Sequence, residues 1–260
     1  MINNSFIFTQ KVIGQERKAI AALISEITGE PVIYAGVPSF AYKVGGWSLG
    51  KSGIILSPQT NITEVSTLRA VIDVLKTAGL TAEGDATLIL SAEAHTGGTL
   101  RNLCNLISSK GKLLAKALGR DNEAIPQTLV EDLNNTPIDT VEDFMRVYNS
   151  GLEAGRYVNS GDIWLDHLPN EIGLCFFNAT LNADEVFAYI TLAQKLNEMA
   201  ITQKHTSSRQ KSTENEAYTM RCYLLRLGFI GDEYKTSRKL LLSKLNGNRA
   251  YSGGIVNESN

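Results

Sequence analysis

Residues 45–52, GGWSLGKS, match letter for letter the G-x-x-x-x-G-K-[ST] pattern that cradles nucleotide phosphates. That chemistry needs a strand before the loop and a helix after it, so that loop amides and a helix N-terminus meet the phosphate together. Here Lys51-Ser52 is followed by Gly-Ile-Ile-Leu-Ser-Pro. Glycine at the first turn, β-branched residues and then proline favour a strand. The stretch is expected to be a Gly-rich β-hairpin, with a P-loop nucleotide hydrolase as the lesser alternative.

A second place for phosphate lies in residues 214–249, ENEAYTMRCYLLRLGFIGDEYKTSRKLLLSKLNGNR, which read as two short helices joined at 228–231. On the first, residues 215–227, Ala217, Met220, Leu224 and Leu227 share a face. Arg221 falls between Ala217, Leu224 and Leu225, whereas Arg226 points away. On the second helix Tyr234, Leu241, Leu242 and Leu245 form the apolar face. Arg238 falls inside that face and Lys239 lies to its side. An arginine on a buried face needs a partner, because an unpaired buried charge costs several kcal/mol. Two partners fit its fork: a core carboxylate such as Glu214 or Glu216, or a ligand phosphate. Both remain open at this point.

Other candidates are weaker. Tyr34, Phe40, Tyr42 and Trp47 gather near the hairpin and are suited either to stacking on a base or to half-buried sheet positions. His95-Thr96-Gly97-Gly98 precedes a helix and offers either a phosphate seat or a plain loop. Asp162, Asp166 and His167 lack the second cluster that a metal site needs. The three histidines, His95, His167 and His205, are scattered, and no nucleophile–base arrangement follows from spacing. Cys104, Cys175 and Cys222 are isolated, which suits reduced thiols rather than a disulfide framework or zinc. The expectation is a non-enzymatic protein with no cofactor and no metal.

Composition is that of a globular chain: 260 residues, 43% hydrophobic, 20% charged, net charge −2. The charge is unevenly spread. Residues 204–249 hold ten basic and four acidic side chains, so the segment carries +6 and the remainder −8. A basic end on an acidic body suits an anionic partner, or simply a solvated helical face. The first residues, MINNSFIFTQ, lack the charged start and long apolar run of a signal peptide. No apolar run is long enough for a bilayer, so no membrane partner is expected.

Taken in order, the chain predicts a strand at 6–12, a helix at 15–28, strands at 31–34, 40–44 and 53–56, and a helix at 63–78 closed by Gly79. The pattern then recurs: a strand at 86–91, a helix at 99–118 closed by Gly119, strands at 128–132 and 172–177, and a long helix over 185–202 capped by Asn182 or Asp184. A further amphipathic helix fits 140–151, within the poorly legible stretch 121–166. Residues 204–213 read as a polar linker. The expected class is α+β: two pseudo-repeated strand–helix–strands–helix units about eighty residues apart, an antiparallel sheet covered by helices, and a C-terminal helical hairpin. The corresponding divisions are 1–80, 86–203 and the basic hairpin at 204–249, with a tail at 250–260.

Three runs carry a resemblance: ERKAIAALISEITGEPVIYAGVPSFAYKVG, TLRNLCNLISSKGKLLAKALG and ENEAYTMRCYLLRLGFIGDEYKTSRKLLLSKLNGN. They resemble a phage and prophage family of Gram-positive bacteria labelled "virulence-related protein", over most of the chain. The family's long acidic, Pro-rich insert between modules is replaced here by residues 81–85 alone. The resemblance implies a phage accessory protein in the cytosol of the infected cell. By analogy it implies a non-catalytic, homo-oligomeric sponge for a host immune nucleotide, such as a cyclic ADP-ribose derivative or a cyclic dinucleotide. Arg221, Arg226, Arg238 and Lys239 would hold phosphates; Tyr34, Tyr42, Trp47 and Tyr234 would stack on rings. A nucleic-acid-binding regulator using the basic segment 204–249 is the alternative.

Overall fold

A computed structural model describes residues 5–157, 162–166 and 170–248. The first half contains β1 (Ser5–Ile13), α1 (Arg17–Thr28), β2 (Val32–Tyr34), β3 (Tyr42–Val44), β4 (Trp47–Leu49), β5 (Ile54–Leu56), β6 (Thr60–Asn61), a 3₁₀ turn at Ile62–Glu64 and α2 (Ser66–Thr77). The second contains β7 (Thr81–Ser91), α3 (Gly97–Ser108), α4 (Gly111–Leu118), α5 (Gln127–Asn135), α6 (Val141–Glu153), β8 (Ile163–Asp166), β9 (Glu171–Asn178) and α7 (Ala183–Thr202). Then come α8 (Glu216–Arg226) and α9 (Lys235–Leu241). Contacts divide the chain into two compact units. One comprises Met1–Glu93 and Ile163–Thr191, the other Ala94–Asp162 and Leu192–Asn260. The division falls inside α7.

The first unit holds the sheet. Its strand order is β2-β3-β4-β5-β1-β7-β9-β8, with β6 also on β1, and every pairing is antiparallel. Period-2 alternation in β1 and β7 turns Phe6, Phe8, Leu88 and Leu90 to a buried face. Ile7, Thr9, Thr87 and Ile89 line the part-exposed face. Both halves run strand, helix or helices, strands, helix, as expected, and the register shows how they are related. Phe8 pairs with Leu88, its equivalent eighty residues on, so a pseudo-two-fold passes between them. On the outer sides β1 pairs with β5 and β7 with β9. The closing helices meet as well. Val65, Leu68 and Ile72 of the α2 region face Val186, Phe187 and Ile190 of α7 across a small cavity. Arg69 Nη1 reaches Asp184 Oδ1 at 2.8 Å.

Several boundaries differ from expectation. Residues 81–85, expected as a spacer, are the first part of β7: Ile13, Val12 and Lys11 pair with Thr81, Ala82 and Glu83. Residues 128–132, expected as a strand, belong to α5, because Leu129, Val130 and Leu133 make one buried helical face and packing overrides the local β propensity. The helix expected over 99–118 is two helices, α3 and α4, broken at Ser109-Lys110. Phe40 has φ 50° and stands outside the strand that begins at Tyr42. Asn182, not Asp184, caps α7, its Oδ1 accepting from the Asp184 and Glu185 amides.

The second unit is helical. Asn102 and Asn105, both buried on α3, hold the polar segment after α7. Asn102 Nδ2 donates to the carbonyls of Ala200 and Gln203, and its Oδ1 accepts from the Thr206 amide. Asn105 Nδ2 donates to the Thr206 carbonyl and to Asn134 Oδ1. These asparagines satisfy backbone groups that have no ladder of their own. The linker is thus tied down at Thr206, and its later residues can contribute to a site.

Candidate functional site: a cationic cavity at the start of α4

The sequence-predicted residues fall in both units. Tyr34, Tyr42 and Trp47 belong to the first; Arg221, Arg226, Tyr234, Arg238 and Lys239 belong to the second. Trp47 is 4% exposed and sits in the core of the sheet unit. Tyr34 and Tyr42 pack on one another at 5.0 Å, and the Arg17 guanidinium lies 5.4 Å from the Tyr42 ring. Arg17 also donates to the Phe40 carbonyl, so the aromatic cluster is bound up with its own cation.

GGWSLGKS forms the hairpin expected from its flanks. Gly45-Gly46 turns β3 into β4, and Gly50–Gly53 turns β4 into β5, with Gly50 N donating to Ile54 O and Gly53 N to Gly50 O. Gly53 has φ +86°, and a Cβ there would lie 2.8 Å from Val12 O. The glycine is required by the turn. The strand Ile54–Leu56 follows in place of a helix, so no helix N-terminus faces Lys51. Its Nζ instead lies 5.5 Å from the Phe40 ring.

The start of α3 is occupied by protein. Thr96 caps it in a reciprocal capping box with Thr99. Gly97 N donates to Asp139 O, and a Cβ on Gly97 would strike Thr140 O at 2.1 Å. The glycine at 97 admits the chain leading into α6, not a phosphate. His95 is buried beside it; Nε2 contacts Asn197 Oδ1 at 2.7 Å and Nδ1 contacts Thr99 Oγ1 at 3.0 Å. The amide oxygen accepts, so Nε2 carries a hydrogen. Burial holds His95 below its usual range, against the opposing pull of Asn197. Asp162, weighed as a metal ligand, bonds Arg120 at 2.9 Å. His167 lies outside the described residues. Among those residues no group of three or more potential ligands gathers.

In the terminal hairpin the expected faces are present: Ala217, Met220, Leu224 and Leu227 are buried, as are Leu241, Leu242 and Leu245. Arg238 finds a partner of a third kind, neither carboxylate nor phosphate. Its Nη1 donates to the carbonyls of Phe229 and Gly231, both at 2.8 Å, and fastens the turn between the helices. Arg221 is half-buried, with no hydrogen bond or ion pair among the described residues. Tyr234 lies between Phe229, at 5.6 Å, and Lys195 Nζ, at 5.9 Å. Lys239 is exposed.

Arg226 leads to a site that sequence reasoning missed. A cavity of about 340 Å³ opens at the α3–α4 break. Lys110, Lys112, Ser109, Lys211, Ser212 and Thr213 line it, together with Leu113, Gln210 and Glu216. Burial lowers the Lys110 pKa, and the charges of Arg226 and Lys211 lower it further. Two acids lie close. Glu216 accepts from Lys116 at 2.6 Å and from the Asn246 amide at 2.9 Å. Burial pushes Glu216 upward, but these two bonds outweigh it and hold the carboxyl below its usual range. Glu123 accepts from Gln210 and stands against Gly111, where a Cβ would meet its Oε2 at 2.0 Å. Three lysines therefore line the opening, with Arg226 close enough for its charge to act on Lys110, and both carboxylates are engaged with other donors. Gly111 opens α4, whose first-turn amides have no intrahelical acceptor. A sequence signal existed: Ser-Ser-Lys-Gly-Lys in the middle of an apolar periodic run marks a helix break, since glycine costs up to about 1 kcal/mol inside a helix.

No protein-family model matches this chain, and no curated protein matches it either.

Proposed function

We propose that this protein binds a phosphate-bearing small molecule of the nucleotide class, and that it acts by holding that ligand rather than transforming it. The observation that carries the proposal is the Lys110–Lys112–Lys211 cavity, where burial and the charges of Arg226 and Lys211 hold Lys110 below its ordinary range. Like charges gathered around a concave opening repel one another until an anion neutralises them. Lysine and hydroxyl donors suit phosphoryl oxygens. A volume of about 340 Å³ is at the small end for a ligand pocket and fits a phosphorylated sugar or a nucleotide's phosphate end. The resemblance to phage virulence-related proteins supplies a setting for this reading: capture of a host immune nucleotide, cyclic ADP-ribose-like or a cyclic dinucleotide, in the infected cell.

Calorimetric titration of the full chain with ADP-ribose, linear and cyclic dinucleotides and inorganic pyrophosphate tests it. Micromolar binding of at least one, weakened by Lys110→Glu, supports the proposal. Binding by none, or binding indifferent to Lys110→Glu, overturns it. A single-stranded oligonucleotide in the same panel addresses the alternative. Exposed Lys204, Arg209 and Lys211 lie along one segment, and a backbone binder would show affinity that falls steeply with salt.

A further inference from the structure

One free edge of the sheet lies at β2. Strand order places it at one end, and among the described residues only β3 pairs with it. Its three residues are all exposed: Val32 37%, Ile33 56%, Tyr34 52%. Natural edge strands are ordinarily protected by charge, bulges or cover. β2 is short and follows Pro31, but it carries no charge and no bulge, and no charged residue occurs between Glu30 and Lys43. The large exposed apolar side chains concentrate here as well, with Ile27, Val37 and Phe40 flanking the strand.

The backbone specifies what the edge accepts. Ala35 N donates to Ala41 O, which turns Ala35 toward β3. Antiparallel pairing alternates, so Ile33 also faces β3, opposite Lys43, and Val32 and Tyr34 turn their N–H and C=O groups outward. An extended strand is the complement of that pattern.

We infer that the occupant is β2 of a second copy of this chain, antiparallel about a two-fold axis at Ile33. In that register Val32 N–H meets the Tyr34 carbonyl of the other copy, Tyr34 N–H meets its Val32 carbonyl, and the axis repeats both. All four outward groups are satisfied. Val32 stands across from Tyr34 on one face, a favourable β-branched and aromatic pair, and Ile33 meets its own copy on the other. No like charges are opposed: the two Lys43 side chains are three strand spacings apart, about 14 Å, beyond the screening length at physiological salt. Two edges become one continuous sheet by an isologous contact.

Sedimentation velocity of the full chain at about 100 μM tests this inference. The expected species has twice the 28.3 kDa chain mass. Ile33→Lys and Ile33→Glu each set like charges face to face at an exposed position, so each alone weakens dimerisation by about tenfold or more. Mixing the two variants restores the dimer by opposing unlike charges, which separates a broken interface from a broken fold. A wild-type monomer at that concentration overturns the inference. So does a dimer unaffected by both variants, or a mixture that stays monomeric.

Discussion

Gly50-Lys51-Ser52 and Ser109-Lys110-Gly111-Lys112 are made of the same residue types, yet they stand in opposite structural settings. The first satisfies a nucleotide-binding pattern and is followed by the strand Ile54–Leu56. The Gly50 and Gly53 amides close a tight turn, and its lysine lies over Phe40. The second matches no pattern and is followed by the helix Gly111–Leu118. Its lysines border a cavity with Lys211 and within the field of Arg226. On the proposed function the second loop receives the phosphate because its lysines line an open cavity, whereas the first spends its Gly50 amide on a hairpin turn.

The comparison breaks most sharply at the lysines. Combining Lys110→Glu with Lys211→Glu is expected to weaken binding of the nucleotide that titrates best by about a hundredfold or more. Lys51→Ala should leave the same affinity unchanged, and calorimetry reads both. Equal loss in the two variants would erase the distinction between the loops.

Gly53→Ala comes next, and its effect is on stability. With φ +86° and Val12 O at 2.8 Å from the new Cβ, it should cost about 1–3 kcal/mol in a denaturant titration, with ligand affinity intact in the folded fraction. Asn102→Ala reaches the other site indirectly. It releases Ala200, Gln203 and Thr206 from their buried partner and costs about 1–3 kcal/mol. Because Lys211 follows that anchored segment, affinity should also fall, by about fivefold, with amide exchange rising around Thr206.

The smallest effects are in pH. Lys110 lies below its ordinary range in the free protein, so an anion in the cavity raises it again. Binding therefore takes up protons on the alkaline side, and affinity falls as pH rises through the free-state pKa of Lys110. Titrations in buffers of different ionisation enthalpy measure the uptake, and Arg226→Ala should reduce it by removing one of the charges that lower Lys110. On the acid side the sign is set by Glu216 and His95. Glu216 is depressed, so its stabilisation is present above the ordinary carboxylate range and disappears as pH falls through its folded value. His95 is also depressed, so stability declines as pH falls below 6.5, where the unfolded chain gains a proton that the folded chain resists.

Much of the fold was legible because periodicity records burial. Phe6 and Phe8 alternate, Leu68, Ile72 and Leu75 recur at helical spacing, and the expected faces of α8 and the α9 region are buried. The spacing of the two halves was legible too, though their two-fold pairing at Phe8 and Leu88 emerges only from the register. Residues 128–132 misled because Thr128 and Val130 favour strands locally, whereas packing of Leu129, Val130 and Leu133 decides for helix. Helical phase placed Arg238 near the buried face but could not supply its partners, since Phe229 O and Gly231 O become acceptors only through the shape of the turn. The cavity was hidden for a related reason: Lys110 and Lys211 are about a hundred residues apart, and it takes the anchoring of the intervening linker on Asn102, Asn105 and Glu123 to join them.

The most direct test of the central claim is amide shift mapping of the labelled full chain during titration with a phosphate-bearing nucleotide. Large shifts at Gly111, Lys112 and Lys211, with Gly50, Lys51 and Ser52 unmoved, are the predicted result. Shifts centred on Gly50–Gly53, or none at Gly111 and Lys112 at saturation, would contradict it.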